Sequence, residues 1–283
     1  MSSHTLNPAM PVLVRPDGAV QVGWDPRRAM LVEPPDGLSA AALADLLRAM
    51  QRGATARELC ALAADRGIAD VAEMTDLVTS LVERGLATPS SPTSPRRRSA
   101  GIRIHGRGPL SDLLAGALRC SGARVSQSRL KHSGGIPAST DLVVLADVLV
   151  ADPHLLRELH RDRIPHLPVY VRDGTGLVGP LVIPGVTSCL GCADLYRTDR
   201  DAAWPAVAAQ LRDAVGNADR ATILGTAALA LSQVDRVVTA VSESGDASRA
   251  GVPPPTLDTT LEFDVRSGST TSRRWQRHPR CAC

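Results

Sequence analysis

Four of the six cysteines lie in two close pairs, Cys189-x-x-Cys192 in the middle of the chain and Cys281-x-Cys283 at its end. Each pair can present two thiolates to one side, and a tetrahedral set of four sulfur ligands suits Zn²⁺. Four protein ligands leave no position for water or substrate, so we expect a structural ion rather than a catalytic one. Two alternatives stay open: a disulfide or redox pair, and a ligand set in which His278 replaces one cysteine.

The composition indicates a globular chain with one large or two modest domains in its 283 residues. Hydrophobic residues make up 43% and aromatic residues 2%, so the core must consist mainly of Ala, Leu and Val. The net charge of +3 is too small for a dedicated nucleic-acid-binding protein. No signal segment and no apolar run of membrane-spanning length is present, so we expect a cytoplasmic protein that does not bind membranes. Reducing conditions there favour metal over disulfide.

The N-terminal region, residues 10–88, has the pattern of three short strands followed by three helices. The strands are predicted at 12–15, 19–23 and 29–33, and the Pro16-Asp17-Gly18 turn joins the first two. The helices begin near Ser39, Thr55 and Asp70. This order predicts a winged-helix-like domain that can accept an extended peptide by strand addition.

An edge strand at 29–33 would offer unpaired backbone groups to an incoming chain. We expect the groove to be lined by the apolar residues of this strand and of the third helix, namely Met30, Val32, Met74, Leu77 and Leu81. The alternative is that these side chains face the domain's own core. A DNA-binding regulator is a further alternative, but the strands precede the helices and the third helix is mainly acidic, which suits a phosphate backbone poorly.

Residues 89–100 form a Pro- and Ser-rich linker, and a second α/β domain is predicted over 101–283. It opens with a strand, a turn containing Gly106 and Gly108, a helix and a second strand, which is typical of dinucleotide-binding folds. Ser111 stands in place of the third glycine, and 126–128 has no acidic residue to hold a ribose. The pattern therefore predicts a degenerate Rossmann-type fold with weak ATP binding or none.

Three further elements complete this domain. The run 141–146 is apolar throughout after its first residue, as in buried parallel strands. A helix over 218–241 has an apolar stripe typical of a core or dimer surface. Two strands, 257–265 and 272–277, lead into the last two cysteines.

The segments that surround the cysteines resemble the E1-like, ThiF-type superfamily. The resemblance lies in Val178–Val182, Thr187–Cys192, Asp194-Leu195, Trp204-Pro205, Gln210-Leu211 and His278-Pro279-x-Cys281-x-Cys283. More narrowly, the chain is similar to actinobacterial cyclodehydratase and leader-peptide-binding proteins of azole-modified ribosomal peptides, which begin with a PqqD-like recognition element. The resemblance implies zinc at the four cysteines, with a precursor leader peptide and a YcaO-type cyclodehydratase as partners. From the apolar stripe of the helix over 218–241 we also expect a homodimer.

Catalysis is not expected from the matching residues. Active members of the superfamily resemble one another in a full glycine turn, an acidic ribose ligand, and an Arg and a Lys that hold ATP, whereas Lys131 is the only lysine here. We also expect Cys60 and Cys120 to be core residues rather than nucleophiles. The sequence thus predicts an E1-like scaffold without its own catalysis, and the alternative is an ATP-dependent adenylyltransferase that activates a carboxylate.

Overall fold

A computed structural model of the chain describes residues 3–54, 56–64, 71–90, 99–129, 135–242 and 253–283. The chain divides into two compact units, residues 1–96 and 97–283, named unit 1 and unit 2. The expectations that concern Thr55, Asp70 and Lys131 lie outside the described residues, as does most of the predicted linker. The mixed α/β class predicted from the sequence is confirmed.

Unit 1 contains five strands and three helices within the described residues. In chain order they are β1 (Ser3–Leu6), β2 (Val12–Val14), β3 (Val20–Val22), β4 (Met30–Val32), α1 (Ala40–Gln51), α2 (Ala56–Ala64), α3 (Val71–Glu83) and β5 (Ala87–Ser90). Strands β2, β3 and β4 form an antiparallel sheet in that order, so β2 and β4 are its edges. Strand β1 pairs antiparallel with β5, which closes the two ends of the unit onto each other.

Local chemistry explains the elements of unit 1. The Asp17 side chain accepts a hydrogen bond from the backbone N–H of Ala19, and Gly18 adopts a φ of 89° in the turn between β2 and β3. Ser39 caps α1 by accepting from the Ala42 N–H at 3.2 Å. The apolar face of α1 packs against the strands, and Leu43 and Leu47 are completely or almost completely buried.

Unit 2 is built on one seven-stranded sheet. Its elements are β6 (Gly101–His105), α4 (Pro109–Leu118), β7 (Arg124–Ser128), β8 (Leu142–Ala146), α5 (Pro153–Arg161), β9 (His166–Arg172), β10 (Thr175–Val178), α6 (Leu190–Arg200), α7 (Trp204–Leu211), α8 (Arg220–Ser242), β11 (Thr259–Asp264) and β12 (Ser269–Arg274). The strand order is β12-β11-β10-β9-β8-β6-β7. Strands β7, β6, β8 and β9 are parallel, and β10 to β12 continue the sheet as an antiparallel meander.

Helix α8 covers the antiparallel half of the sheet. Gly176 of β10 leaves no space for a Cβ against the Thr226 side chain, and Gly225 of α8 lies directly against Phe263. Within the described residues α8 is the one helix long and apolar enough to cross a membrane, a test that core helices of soluble proteins also pass. Ala230 and Val234 are fully buried against the sheet, whereas Leu224 is 49% exposed.

His166 begins β9 in the interior of unit 2 and is fully buried. Its Nδ1 lies 3.1 Å from the Ile164 carbonyl oxygen, which suits the neutral tautomer that donates from Nδ1. Burial lowers the pKa of His166 from 6.5 to about 4, because the imidazolium loses its hydration. The folded state therefore holds this ring neutral over a range in which the unfolded chain protonates it.

We predict that this histidine makes unit 2 less stable as the pH falls from 6.5 to 4. Because the unfolded chain binds more protons in this window, the free energy of unfolding should fall by up to about 3 kcal/mol through His166 alone. Denaturant unfolding at pH 7 and pH 4.5 should show a smaller loss for His166→Gln than for the natural chain. The exposed His154→Gln serves as control, and an equal pH dependence in all three proteins would contradict the assignment.

Candidate functional site

The four predicted cysteine ligands converge at one place in unit 2. The sulfur atoms of Cys189, Cys192, Cys281 and Cys283 all lie within 4.8 Å of one another. The Sγ–Sγ distances are 3.7 Å for Cys189–Cys192, 3.6 Å for Cys189–Cys281 and 3.4 Å for Cys192–Cys283. A tetrahedral ion with metal–sulfur bonds of about 2.3 Å requires sulfur atoms about 3.8 Å apart. The cluster could therefore hold a metal ion with little adjustment.

The start of α6 positions the first cysteine pair. Cys189 is the N-cap residue of α6 and Cys192 lies in its first turn, so the pair occupies a helix start rather than an isolated turn. The preceding Ser188 donates from its backbone N and its Oγ to Asp258 Oδ1 at 2.7 and 2.9 Å. These two hydrogen bonds anchor the cysteine pair to the segment that leads into β11.

His278 belongs to the support of the cluster rather than to its ligand set. Its Nε2 lies 2.8 Å from Asp199 Oδ2, and its Nδ1 accepts from the Arg280 N–H at 3.1 Å. Its carbonyl oxygen accepts from the Cys281 N–H at 2.9 Å. Because both ring nitrogens have partners outside the cluster, the arrangement favours four sulfur ligands over a set that includes His278.

Cys189 and Cys283 need a cation to ionise at neutral pH, whereas backbone hydrogen bonds lower the pKa of Cys192 against the opposite effect of burial. Burial raises the pKa of Cys189, and it raises the pKa of Cys283 to about 11. A bound metal ion would reverse this effect, because coordination stabilises the thiolate.

Cys120 is exposed in the turn after α4, so its prediction as a core residue is wrong. The helix ends at Leu118, before Cys120 could reach the core.

A second site lies where the strand order of the parallel sheet reverses, between β6 and β8. Ligands of open α/β sheets bind in this crevice, at the carboxyl ends of the strands. A cavity of about 380 Å³ lies here, and His105, Arg107 and Asp147 line it. Gly106 and Gly108 form the predicted turn, and a Cβ at Gly108 would lie 2.6 Å from Asp147 Cγ. The glycine turn thus allows a negatively charged group to approach the backbone closely, and in this chain that group is the Asp147 carboxylate.

Asp147 occupies the hydrogen-bond donors at the N-terminus of α4. Its Oδ2 accepts from the backbone N–H of Ser111 at 2.8 Å and from Ser111 Oγ at 2.6 Å. Its Oδ1 accepts from the Leu110 N–H at 3.2 Å, and the residue is only 4% exposed. These are the amides that a nucleotide phosphate would use at such a helix start. They are already paired with a negative charge, so these two amides are not free to bind a phosphate.

The end of β7 is also occupied by contacts within the chain. Asp112 Oδ1 accepts from Arg129 Nη2 at 2.8 Å and from Gln127 Nε2 at 3.3 Å. Residues 126–128 contain no acidic residue that could bind a ribose. Gln127 and the following Arg129 instead donate to Asp112 in the first turn of α4.

The structure places three of the five predicted peptide-binding residues in the core of unit 1. Met30, Val32 and Leu81 are 8%, 5% and 0% exposed and belong to one hydrophobic cluster. Met74 and Leu77 lie on α3, but their side chains are outside the described part of the structure. Leu31, between the two buried residues of β4, is 54% exposed. It is the side chain that β4 presents to the outside.

Comparison with known proteins shows that solved structures share the fold of this chain. No family model and no curated protein matches the sequence. Among solved structures, the heterocyclase TruD superposes with a TM-score of 0.69 at 16% identity, over 100% of this chain and 42% of that chain. The present chain thus spans less than half of TruD.

The same fold recurs in MccB of E. coli. A crystal structure of MccB with ATP gives a TM-score of 0.60 at 13% identity, over 100% of this chain and 99% of that chain. The microcin C7 biosynthetic enzyme MccB in complex with N-formylated MccA gives 0.60 at 14% identity over the same shares. At these identities the likeness establishes the fold, and the activity of this chain must be argued from its own residues.

We predict that the paired Cys281→Ser and Cys283→Ser substitutions remove about one bound metal ion per chain. The free energy of unfolding of unit 2 should fall by several kcal/mol, a part of the roughly 10–16 kcal/mol by which structural zinc binds in small domains. Metal content by mass spectrometry of the native protein and thermal unfolding measure the two effects. Cys120→Ser is the matched control, and a natural chain that is metal-free and equally stable in chelator would contradict the prediction.

Proposed function

We propose that this chain is a leader-peptide-binding scaffold in the biosynthesis of azole-modified ribosomal peptides. Unit 1 acts as a winged-helix-like, PqqD-like domain that binds the leader, and unit 2 is an E1-like scaffold without its own adenylation chemistry. The observation on which this depends most is the buried Asp147 carboxylate at the N-terminus of α4. It occupies the phosphate position of a fold that is shared with nucleotide-using proteins.

The metal in this proposal is Zn²⁺ with a structural role. Four cysteine sulfurs within 4.8 Å of one another suit a soft, tetrahedral ion and leave no open coordination position. The ion would tie the start of α6 to the last three residues of the chain. Its contribution is to folding, since no substrate could reach it without displacing a ligand.

The leader would bind as a fourth strand along β4. This strand is an edge of the three-stranded sheet, so its outer backbone groups can pair with an extended peptide. Because Met30 and Val32 are directed into the core, the side-chain contact on the outer face falls to Leu31. We retain α3 as the other wall of the groove in this proposal.

The partners follow from the same reasoning. MccB has been solved in complex with N-formylated MccA, and TruD is a heterocyclase that is more than twice as long as this chain. We propose that a separate YcaO-type cyclodehydratase supplies the ATP-dependent step on the bound precursor. A homodimer through the outer surface of α8, where Leu224 is 49% exposed, completes the proposed assembly.

An ATP-dependent adenylyltransferase is the second candidate, because the fold is shared with MccB in its structure with ATP. That activity needs cationic and metal-binding groups positioned together around the phosphates. Arg107, Arg129 and Arg212 line the cavity at β6 and β8, but the Asp147 carboxylate occupies the α4 amides that a phosphate would need. The two candidates therefore differ in one measurable property, the affinity for ATP.

We predict that Leu31→Glu weakens binding of a short precursor peptide encoded beside this chain by about fivefold or more. This corresponds to the loss of roughly 1 kcal/mol of cross-strand contact at the β4 edge. Leu13→Glu is the matched control: Leu13 lies on the same face of the sheet but on the opposite edge, β2, and is 42% exposed.

The measurement is a calorimetric titration with both variants checked for folding by circular dichroism. Chemical-shift changes in the natural chain should be largest along β4. Equal binding by both variants and the natural chain would move the peptide site away from β4.

A further inference from the structure

An arginine-rich surface lies on unit 2, at the antiparallel edge of the sheet. Four side chains form it and are called the arginine surface: Arg172 at the end of β9, Arg197 and Arg200 in the last turn of α6, and Arg273 in β12. Neither the cysteine cluster nor the proposed peptide site uses these residues. Their concentration on one side of the sheet requires an explanation.

Two of these side chains lie against the Trp275 ring, and the guanidinium carbon of Arg197 also lies 5.1 Å from the centre of the Trp204 ring. The Arg273 guanidinium carbon lies 4.5 Å from the centre of the Trp275 ring, and that of Arg197 lies 5.6 Å from it. Trp275 is 8% exposed, and its Nε1 donates to Thr260 Oγ1 at 2.9 Å. Guanidinium groups that stack on a fixed aromatic ring lose less freedom when they bind an anion.

The local carboxylates do not balance the positive charge. Asp194 pairs with Arg197 at 2.8 Å, and Glu262 lies 3.6 Å from Arg172. Among the described residues, Arg200 and Arg273 have no carboxylate within salt-bridge distance. Burial and the neighbouring charges of Arg200, Arg197 and Arg172 lower the pKa of Arg273, against the opposite effect of Glu262. The surface therefore has an excess of like charge that an anionic partner would relieve.

Strand β12 offers unpaired backbone N–H and C=O groups beside the arginine surface, with which an extended chain could pair. It is the last strand of the sheet, and its outer edge has no strand partner among the described residues. Five of its six residues are exposed. The register pairs Arg273 with Thr260 and Thr271 with Glu262, so Arg273 and Glu262 lie on the same face. An extended chain added to β12 would direct every second side chain toward the arginine surface.

We propose that β12 and the arginine surface form a docking site for an extended acidic segment of a protein partner. Carboxylates at alternate positions of that segment would meet Arg200 and Arg273, while its backbone pairs with β12. This site goes beyond the leader-binding function and does not depend on it. A single-stranded nucleic acid fits less well, because its bases need open aromatic faces and Trp275 is buried beneath guanidinium groups.

The test uses a fluorescent heptapeptide of alternating Thr and Glu, its Gln counterpart and an oligothymidylate, each titrated into the full chain by anisotropy. We expect only the Glu peptide to bind, and binding should weaken as salt rises. The paired Arg200→Gln and Arg273→Gln substitutions should weaken it about tenfold or more. N-methylation of alternate peptide amides should weaken it as well, because strand pairing is lost.

Arg236→Gln is the control, since α8 packs on the opposite face of the sheet, where Gly176 meets Thr226. Arg200→Gln alone keeps the test valid if the paired variant does not fold, because the Arg200 side chain is exposed. The proposal is overturned if the Glu peptide does not bind, or if the arginine variants bind it as the natural chain does. It is also overturned if the oligothymidylate binds more tightly and loses affinity in the same variants, which would make this a nucleic-acid surface.

Discussion

The buried carboxylate of Asp147 fixes the parallel half of unit 2. It follows directly after β8, and its backbone N–H donates to the Val169 carbonyl oxygen of β9 at 2.9 Å. Its side chain accepts three hydrogen bonds from the start of α4, so one residue joins β8, β9 and the β6–α4 turn. A helix N-terminus of this kind is a ready anion site, and here the anion is part of the chain. The interaction therefore stabilises the fold and occupies the amides that a bound phosphate would use.

The cysteine cluster closes the rest of unit 2 in a comparable way. Strands β11 and β12 extend the sheet beyond β10 and return the chain toward α6, where Cys281 and Cys283 meet Cys189 and Cys192. Asp258 and His278 connect this closure to neighbouring segments through Ser188 and Asp199. Only Cys192 and Ala193 of α6 are buried, so hydrophobic packing contributes little to holding this helix in place. We propose that a structural ion at the cysteine cluster stabilises its position instead.

The sequence predicted the features that depend on residue type and short spacing. The convergence of four cysteines followed from soft ligands in two close pairs, and the β-α-β start of unit 2 followed from glycines after an apolar strand. Helix α6 was missed because it has little apolar periodicity, and β1 and β5 were missed because they pair across the whole of unit 1. The sequence pattern places Ser111 where a third glycine would stand, whereas in the structure Ser111 is a buried donor to Asp147. The acidic residue directly after the apolar run 141–146 was the available signal for that contact.

We propose that unit 2 keeps a fold shared with MccB but binds no nucleotide at the start of α4, and ATP affinity tests this proposal most directly. Isothermal calorimetry with Mg²⁺ and ATP should be performed on the full, metal-loaded chain at moderate ionic strength. We expect no saturable heat at ATP concentrations up to the order of 1 mM, because Asp147 accepts hydrogen bonds from the α4 amides that a phosphate would need. Saturable binding with a micromolar dissociation constant would contradict it and would favour the adenylyltransferase.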